Sequence, residues 1–194
     1  MTTQINEIRN NIISMLNEGL SPHLTYHCLE HTLDVTEQSI LIAIGEGITD
    51  IQILKKIEIA SLYHDTGFIF TYINHEEKSC EIARKQLPDF GLTEIEIENI
   101  CQLIMATKVP QIAKNRLQKI ICDADLDYLG RDDFFEISNK LKKELLTYKF
   151  ISDENDWDKK QLDFLQSHKY FTETTKQKRE PKKQHFINQL KSTK

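Results

Sequence analysis

The sequence predicts an all-α, single-domain helical bundle, and three observations carry this prediction. Apolar residues recur at intervals of three and four along most of the chain, which is the period of a buried helix face. Glycine and proline are scarce, at 6 and 4 of 194 residues, whereas good helix formers are plentiful. Apolar and polar residues nowhere alternate over the length of a useful strand. A chain of this length fits one domain.

Caps, glycines and prolines divide the chain into roughly eight helices. Asp50 is expected to cap the third helix, and Thr93 with Glu96 forms a capping box before the fifth. The second helix begins within or after Tyr26–Val35 and ends around Gly45. The other helices share an amphipathic pattern and are expected at residues 5–19, 51–65, 76–87, 94–109, 111–129, 134–148 and 155–165.

The C-terminal residues differ in composition from the rest. Residues 1–150 are expected to form the bundle, and residues 151–194 a helical extension with a basic tail from Lys176 onward. A basic tail can bind phosphate or RNA. A net charge of −5 gives no general case for nucleic-acid binding. We therefore favour a solvated last helix that packs through Phe186, Ile187 and Leu190.

The cysteines and the N-terminal residues limit the kinds of site and the cellular compartment that we expect for the protein. The four cysteines are widely spaced, which argues against a zinc finger, a redox motif or a disulfide framework. The N-terminus is polar and acidic, unlike a signal peptide. No apolar run approaches the length that spans a bilayer. We expect a cytoplasmic protein without a membrane partner, and the oligomeric state stays open.

An adjacent histidine and aspartate, His64 and Asp65, stand at the end of the third helix. Gly67 is expected to end this helix in the left-handed conformation. Neighbouring residues on a helix point about 100° apart, so both side chains can reach one metal only if it lies beside that turn. Since chance supplies such pairs often, the case for a site depends on other residues that converge on it.

Two other segments carry residues suited to this role. His27 and His31 are four residues apart, so if helical they share one face with Cβ atoms about 6 Å apart. One could bind a metal while the other meets the substrate, or both could be ligands. In the second segment, an apolar run gives way to Asp123, Asp125 and Asp127. We expect Asp127 to face solvent, and Asp123 or Asp125 to point inward, where carboxylates are rare unless paired or bound to metal.

These histidines and aspartates form a mixed nitrogen and oxygen ligand set. Such a set suits Mn²⁺, Fe²⁺, Zn²⁺ or, less well, Mg²⁺. Three or four protein ligands with water in the other positions are typical of a catalytic metal site. We expect one divalent metal ion per chain, with Ni²⁺ also worth testing.

The order His31, His64–Asp65, Asp125 resembles the signature of the HD-domain metal-dependent phosphohydrolase superfamily. The resemblance covers about residues 20–135 and implies an all-helical bundle whose metal ligands are His31, His64, Asp65 and Asp125. The segment Tyr26–Val35 is also similar to the opening motif of the cyclic-nucleotide phosphodiesterase branch. That similarity implies that His27 protonates the leaving oxygen, a role that an imidazole can fill near neutral pH.

The sequence departs from the family in two places. Many members carry a lysine soon after the His-Asp pair, whereas this chain has Thr66–Ile69. Binuclear members need two further histidines, and His75 supplies one while residues 105–108 supply none, so a second metal is in doubt. His75 could instead bind water or phosphate, or only begin a helix. Lys108 and Arg131 are the nearest candidates for phosphate-binding cations.

The resulting hypothesis is a metal-dependent phosphohydrolase that cleaves a small phosphomonoester or phosphodiester, with nucleotides favoured by the resemblance. Asp65 or Asp125 would orient the attacking water, and His27 would donate a proton. Two alternatives stay open. One is an HD-type iron oxygenase that uses His75 toward a second metal, and the other is a regulatory HD domain that binds a nucleotide without turnover.

Overall fold

The structure is a computed structural model that describes residues 2–192, and it confirms the all-α prediction. No strand occurs within those residues. Short 3₁₀ turns at Thr66–Ile69, Leu87–Phe90, Met105–Thr107 and Asp127–Gly130 join several of the helices. The helices of the described chain are, in order, α1 (Thr2–Gly19), α2 (Leu29–Gly45), α3 (Ile51–Tyr63), α4 (His75–Gln86), α5 (Glu94–Ile104), α6 (Arg116–Asp125), α7 (Phe134–Thr147), α8 (Glu154–Ser167) and α9 (Glu173–Ser192).

Two predicted caps are present as expected. The side chain of Asp50 accepts hydrogen bonds from the backbone N–H groups of Gln52 and Ile53 at the start of α3. Thr93 and Glu96 form the reciprocal capping box at the start of α5. Both caps satisfy backbone donors that a helix leaves unpaired in its first turn.

Gly67 does not take the predicted left-handed conformation, because the glycines with positive φ in residues 2–192 are Gly47 and Gly91. The chain passes from α3 directly into the turn Thr66–Ile69. A Cβ atom at Gly67 would lie 2.0 Å from the backbone oxygen of His75. Glycine is therefore needed here for the close approach of two backbone segments, not for its φ angle.

Helix α6 begins later than the sequence predicts, and α2 begins within the expected segment Tyr26–Val35 but after His27. In α6 the first residue is Arg116 instead of residue 111, because the side chain of Asn115 caps the helix by accepting the N–H of Gln118 at 3.0 Å. In α2 the N-cap residue is Cys28, which is extended. His27 therefore lies before α2, and it does not share a helix face with His31.

Two groups of helices bury separate parts of the core. Helices α1, α3, α4 and α5 enclose one apolar cluster that includes Ile12, Leu62 and Ile100. The turn Asp127–Gly130 with α7, α8 and α9 encloses another, which includes Phe134 and the α9 residue Phe186. The basic last segment is thus a packed helix. None of the helices within residues 2–192 combines the length and apolar character needed to cross a membrane.

Two of the three neighbouring aspartates hold the C-terminal segment in place. Asp127 is only 2% exposed, contrary to our expectation that it faces solvent, and it accepts two hydrogen bonds from Arg179 at 2.7 and 2.8 Å. Asp123 accepts the backbone N–H groups of Phe171 and Thr172, both at 2.8 Å. Buried carboxylates need such partners, and these bonds account for both residues without a metal.

Candidate metal centre

Side chains from three helix ends converge on one point between α2, α3 and α6. His31 comes from the first turn of α2, His64 and Asp65 follow the end of α3, and Asp125 ends α6. The Oδ2 atom of Asp65 lies 3.4 Å from Nε2 of His31 and 3.2 Å from Nε2 of His64. The Oδ1 atom of Asp125 lies 3.3 Å and 3.7 Å from the same two nitrogens. The two imidazoles and two carboxylates therefore face a shared small space.

The polar atoms that face this space fit a bound cation. Nε2 of His31, Nε2 of His64 and Oδ2 of Asp65 are buried without a hydrogen-bond partner, and these three residues offer ligand atoms within 4.8 Å of one another. Burying polar atoms unpaired is costly. A divalent metal would satisfy all three at once, and nitrogen with oxygen donors suits Mn²⁺, Fe²⁺ or Zn²⁺.

A hydrogen bond fixes the orientation of His64. Its Nδ1 atom lies 2.7 Å from the backbone oxygen of Ser61, so Nδ1 carries the hydrogen and donates it. In the neutral ring the lone pair is then on Nε2, which faces Asp65 and Asp125. Such an outer hydrogen bond is the usual support for a histidine that binds a metal.

The charges of the four groups are mutually dependent. Burial alone would lower the pKa of His31, but the facing carboxylates of Asp125 and Asp65 outweigh it and raise that pKa to about 9. Burial would raise the pKa of Asp125, but the facing imidazoles of His31 and His64 lower it to about 2. In the protein without metal, protons on the imidazoles thus supply the positive charge that the carboxylates require.

The comparisons with known proteins agree with this geometry. The family model for the HD domain matches residues 28–127, slightly more than half of the chain. The chain belongs to the HD domain family. The match contains all four converging residues of the site and ends at Asp127. No curated protein matches the sequence.

Solved structures of other proteins share the fold of this chain. One, described as a predicted HD superfamily hydrolase from an uncultured Thermotogales bacterium, is 22% identical with a TM-score of 0.62, covering 97% of this chain and 90% of that one. Another is YpgQ from Bacillus subtilis, in complex with ADP. It is 18% identical with a TM-score of 0.67, covering 100% of this chain and 96% of that one. At these identities the likeness shows the fold.

His27 lies beside the HD residues and is held by Glu144 of α7. The Nδ1 atom of His27 bonds to Oε1 of Glu144, while Oε2 of Glu144 accepts the backbone N–H groups of Tyr26 and His27 at 2.9 and 3.1 Å. Tyr72 donates its hydroxyl to Oε1 at 2.8 Å. Because Nδ1 is taken, Nε2 is the nitrogen of His27 that can serve a substrate.

Sequence reasoning missed this role of Glu144, which lies 17 residues beyond the HD match. Its side chain is fully buried. Burial would raise its pKa, but the bond to His27, with the other donors, lowers it. The one available signal is position, because Glu144 shares the apolar face of α7 with Leu141 and Phe134. A buried carboxylate on such a face needs a partner.

His75 faces the oxygen of Asp65 that the other two histidines leave open. Its Nε2 atom lies 3.4 Å from Oδ1 of Asp65 and 3.5 Å from Oε1 of Glu76. Its ring stacks on Phe68 at 3.9 Å between centroids, and the other face of Phe68 stacks on His27 at 4.0 Å. The sequence leaves several roles open for His75. In the structure, His75 lies at the edge of the HD site.

The two candidate phosphate-binding cations lie in different places. Lys108 lines the cavity that opens from the HD residues, and its Nζ atom bonds to Asn74 at 3.0 Å and to Glu77 at 2.5 Å. Arg131 does not line this cavity. Its guanidinium donates to Asp34 at 2.7 and 2.8 Å and to Asp133 at 2.5 and 3.0 Å.

One cavity of about 890 Å³ joins the HD residues to the C-terminal helices. At one end, here called the metal end, it is lined by His27, Asp65, His75 and Asp125. At the other, here called the apolar end, it is lined by residues of α7 and α8. Ligand sites in proteins are typically concave, mainly apolar and furnished with a few converging polar groups. This cavity has those properties.

Proposed function

We propose that this HD protein is a metal-dependent hydrolase that cleaves a small phosphomonoester or phosphodiester, with a nucleotide-like substrate favoured. The observation that carries the proposal is the set of buried, unpartnered atoms on His31, His64 and Asp65. Of these three residues, Asp65 lines the same cavity as His27. Membership in the HD domain family supports a metal-dependent hydrolase in general.

His31, His64, Asp65 and Asp125 are the residues that would hold a divalent metal. Bound there, the metal would supply a water of lowered pKa and would polarise a phosphoryl oxygen. Asp65 and Asp125 each have a second oxygen that can accept a hydrogen bond and so orient a water for attack. The Oδ2 atom of Asp125 already accepts one from Gln111 at 3.0 Å.

His27 is the proposed general acid. Glu144 accepts from Nδ1, which leaves Nε2–H to protonate the departing alkoxide. Phosphoryl transfer depends chiefly on positioning and charge stabilisation. Glu144 also accepts the backbone N–H groups of Tyr26 and His27, so it fixes the position of the ring.

Two observations support a phosphate ester with a nucleotide-like body. The structure of YpgQ, which shares the fold, is of a complex with ADP. Lys108 lies on the wall of the cavity near the metal end and offers a positive charge to a phosphate. Both are consistent with an anionic ligand whose phosphate lies at the metal end.

The test combines elemental analysis with a substrate screen. The purified protein is analysed for metal, then assayed against phosphomonoesters, cyclic nucleotides and nucleoside phosphates with Mn²⁺, Mg²⁺, Ni²⁺, Fe²⁺ and Zn²⁺. We expect about one metal ion per chain and metal-dependent phosphate release. Tight nucleotide binding without turnover of any ester would instead indicate a regulatory HD domain.

A binuclear iron oxygenase is the second candidate, and one specific observation favours it. His75 faces Oδ1 of Asp65 at 3.4 Å while His31 and His64 face Oδ2, so His75 and Asp65 are the residues that would hold a second metal. Residues 105–108 still supply no further histidine. Two irons per chain together with an O₂-dependent reaction would displace the hydrolase proposal.

A further inference from the structure

We propose that the apolar end of the cavity receives a bulky aromatic group attached to the phosphate of the substrate, and this rests on the function proposed above. The substrate class would then be a phosphate ester of an alcohol that carries such a group. A small or wholly polar alcohol would be a poor substrate. The selectivity would come from α7 and α8, which lie outside the matched HD residues.

The size of the cavity is the first argument. Its volume of about 890 Å³ lies in the range of roughly 300–1,000 Å³ that is typical of small-molecule sites. Protein interiors are close-packed and leave few voids larger than a water molecule. A phosphate and its metal would fill only a small part of this space, so the remainder is available to the alcohol.

The composition of the apolar end is the second argument. Phe134, Leu141 and Leu145 project from one face of α7, at the helical spacing of seven and four residues, and Trp157 and Phe164 face them from α8. Aromatic and aliphatic side chains of this kind bind aromatic rings through apolar burial and offset stacking. A charged or hydroxyl-rich group placed there would lose hydration without replacement.

Most of the polar side chains of the same end are occupied by bonds within the protein, and the remaining one, Asp163, is exposed to solvent. Gln161 donates its amide N–H to the hydroxyl of Ser138. The Nζ atom of Lys160 donates to the backbone oxygen of Phe150 at 2.8 Å and lies 3.5 Å from Asp156. These groups already have partners, so they offer little to a polar ligand.

Helix α7 also fixes where the bulky group lies relative to the reacting phosphate. Glu144, which holds His27, immediately precedes Leu145, which lines the apolar end. A group packed against Leu145 is therefore attached to a phosphate near His27 and the HD residues. The same helix positions the proposed acid and contacts the alcohol that leaves.

Two substrate pairs test the proposal without confusing size with leaving-group reactivity. 2-Phenylethyl phosphate and ethyl phosphate both release a primary alkoxide and differ in the aromatic ring. Adenosine 5′-monophosphate and ribose 5-phosphate differ in the base. Preference within both pairs would show that aromatic groups in general are accepted, whereas preference within the second pair alone would identify a nucleobase as the group received.

A matched pair of variants assigns the effect to the cavity. Leu145 lines the apolar end, while its neighbour Leu146 is half-buried to a similar degree and does not line it. We expect Leu145→Ala to lower kcat/KM for the member of a pair that carries the ring or base by roughly tenfold, mainly through KM, because removing apolar contacts weakens binding by about this factor. The same variant should change kcat/KM for ethyl phosphate and ribose 5-phosphate much less. Leu146→Ala should preserve the preference.

Failure of this inference and failure of the proposed function give different results. Equal kcat/KM within both pairs, with phosphate release intact, would overturn the apolar-group proposal and leave the hydrolase. If no ester is turned over, calorimetric binding of the same four compounds to the metal-loaded full chain decides the matter. Tighter binding of the aromatic members, weakened by Leu145→Ala, would support the inference, and equal or absent binding would overturn it.

Discussion

The metal end of the cavity contains buried polar atoms without hydrogen-bond partners, whereas the buried polar side chains at the apolar end bond to other groups of the protein. At the metal end, His31, His64 and Asp65 leave one ligand atom each unpaired. At the apolar end, Ser138 and Gln161 satisfy each other. Unpaired polar atoms are costly to bury, so an ion is expected where they lie. Polar side chains that already have hydrogen-bond partners only form the wall of the cavity.

The two ends also come from different parts of the chain. The four converging residues of the metal end lie within the matched HD residues 28–127, and most of the apolar end comes from α7 and α8, which follow. Glu144 connects them, since it belongs to α7 and binds His27 at the metal end. We therefore expect reactivity to depend on residues 28–127 and substrate choice to depend on α7 and α8. Glu144 connects the two.

Asp65→Asn is expected to have the largest effect. The substitution removes the negative charge that faces His31, His64 and His75 while nearly keeping the size of the side chain. We expect metal to be lost and turnover to fall by about 10³- to 10⁴-fold, since several kcal/mol of charge stabilisation depend on the metal. Elemental analysis and initial rates measure both. A variant with full metal content would remove Asp65 from the ligand set.

His27→Gln separates proton donation from metal binding at the same end of the cavity. We expect turnover to fall by about 10²-fold or more, because the general acid is lost, while metal content stays at the wild-type level. The loss should be smaller for esters with good leaving groups, which need little protonation. Loss of metal equal to that in Asp65→Asn would count against the assigned role of His27.

Glu144→Gln tests the link between the two ends. The amide keeps the shape but changes the acceptor that holds Nδ1 of His27, so we expect turnover to fall by between about 10- and 100-fold. Metal content is the control and should not change. A loss of metal content or of melting temperature that accompanies the loss of turnover would indicate that Glu144 supports the fold alone.

The difference between the two ends of the cavity also explains which site residues could be predicted from the sequence. His64 and Asp65 are adjacent, and His31 and Asp125 stand out against apolar neighbours, so the structure brings together the four residues that the sequence singled out. Glu144 was missed because its partner His27 is 117 residues away. Local patterns predict helices, but they do not predict which distant helix supplies a partner.

The wrong predictions about the fold have the same origin. Asp127 was expected at the surface because its partner Arg179 lies 52 residues further along the chain. Gly67 was predicted to end its helix, whereas glycine is needed there because the backbone of His75 in the next helix lies too close for a Cβ atom. In both cases a contact between elements overrides the preference of the local sequence.

The pH dependence of metal binding gives the smallest expected effect and distinguishes the two ends again. Burial alone would lower the pKa of His31, but the facing carboxylates of Asp125 and Asp65 raise it to about 9, so the metal-free protein carries a proton there at neutral pH. A metal must displace that proton. Affinity should therefore strengthen by about tenfold per pH unit for each proton released, up to about pH 9.

Titration of Mn²⁺ by calorimetry in two buffers of different ionisation enthalpy would count the protons. The slope should be unchanged in Leu145→Ala, because that residue belongs to the apolar end, and a wild-type affinity that is constant between pH 6 and 8 would contradict the assignment of His31.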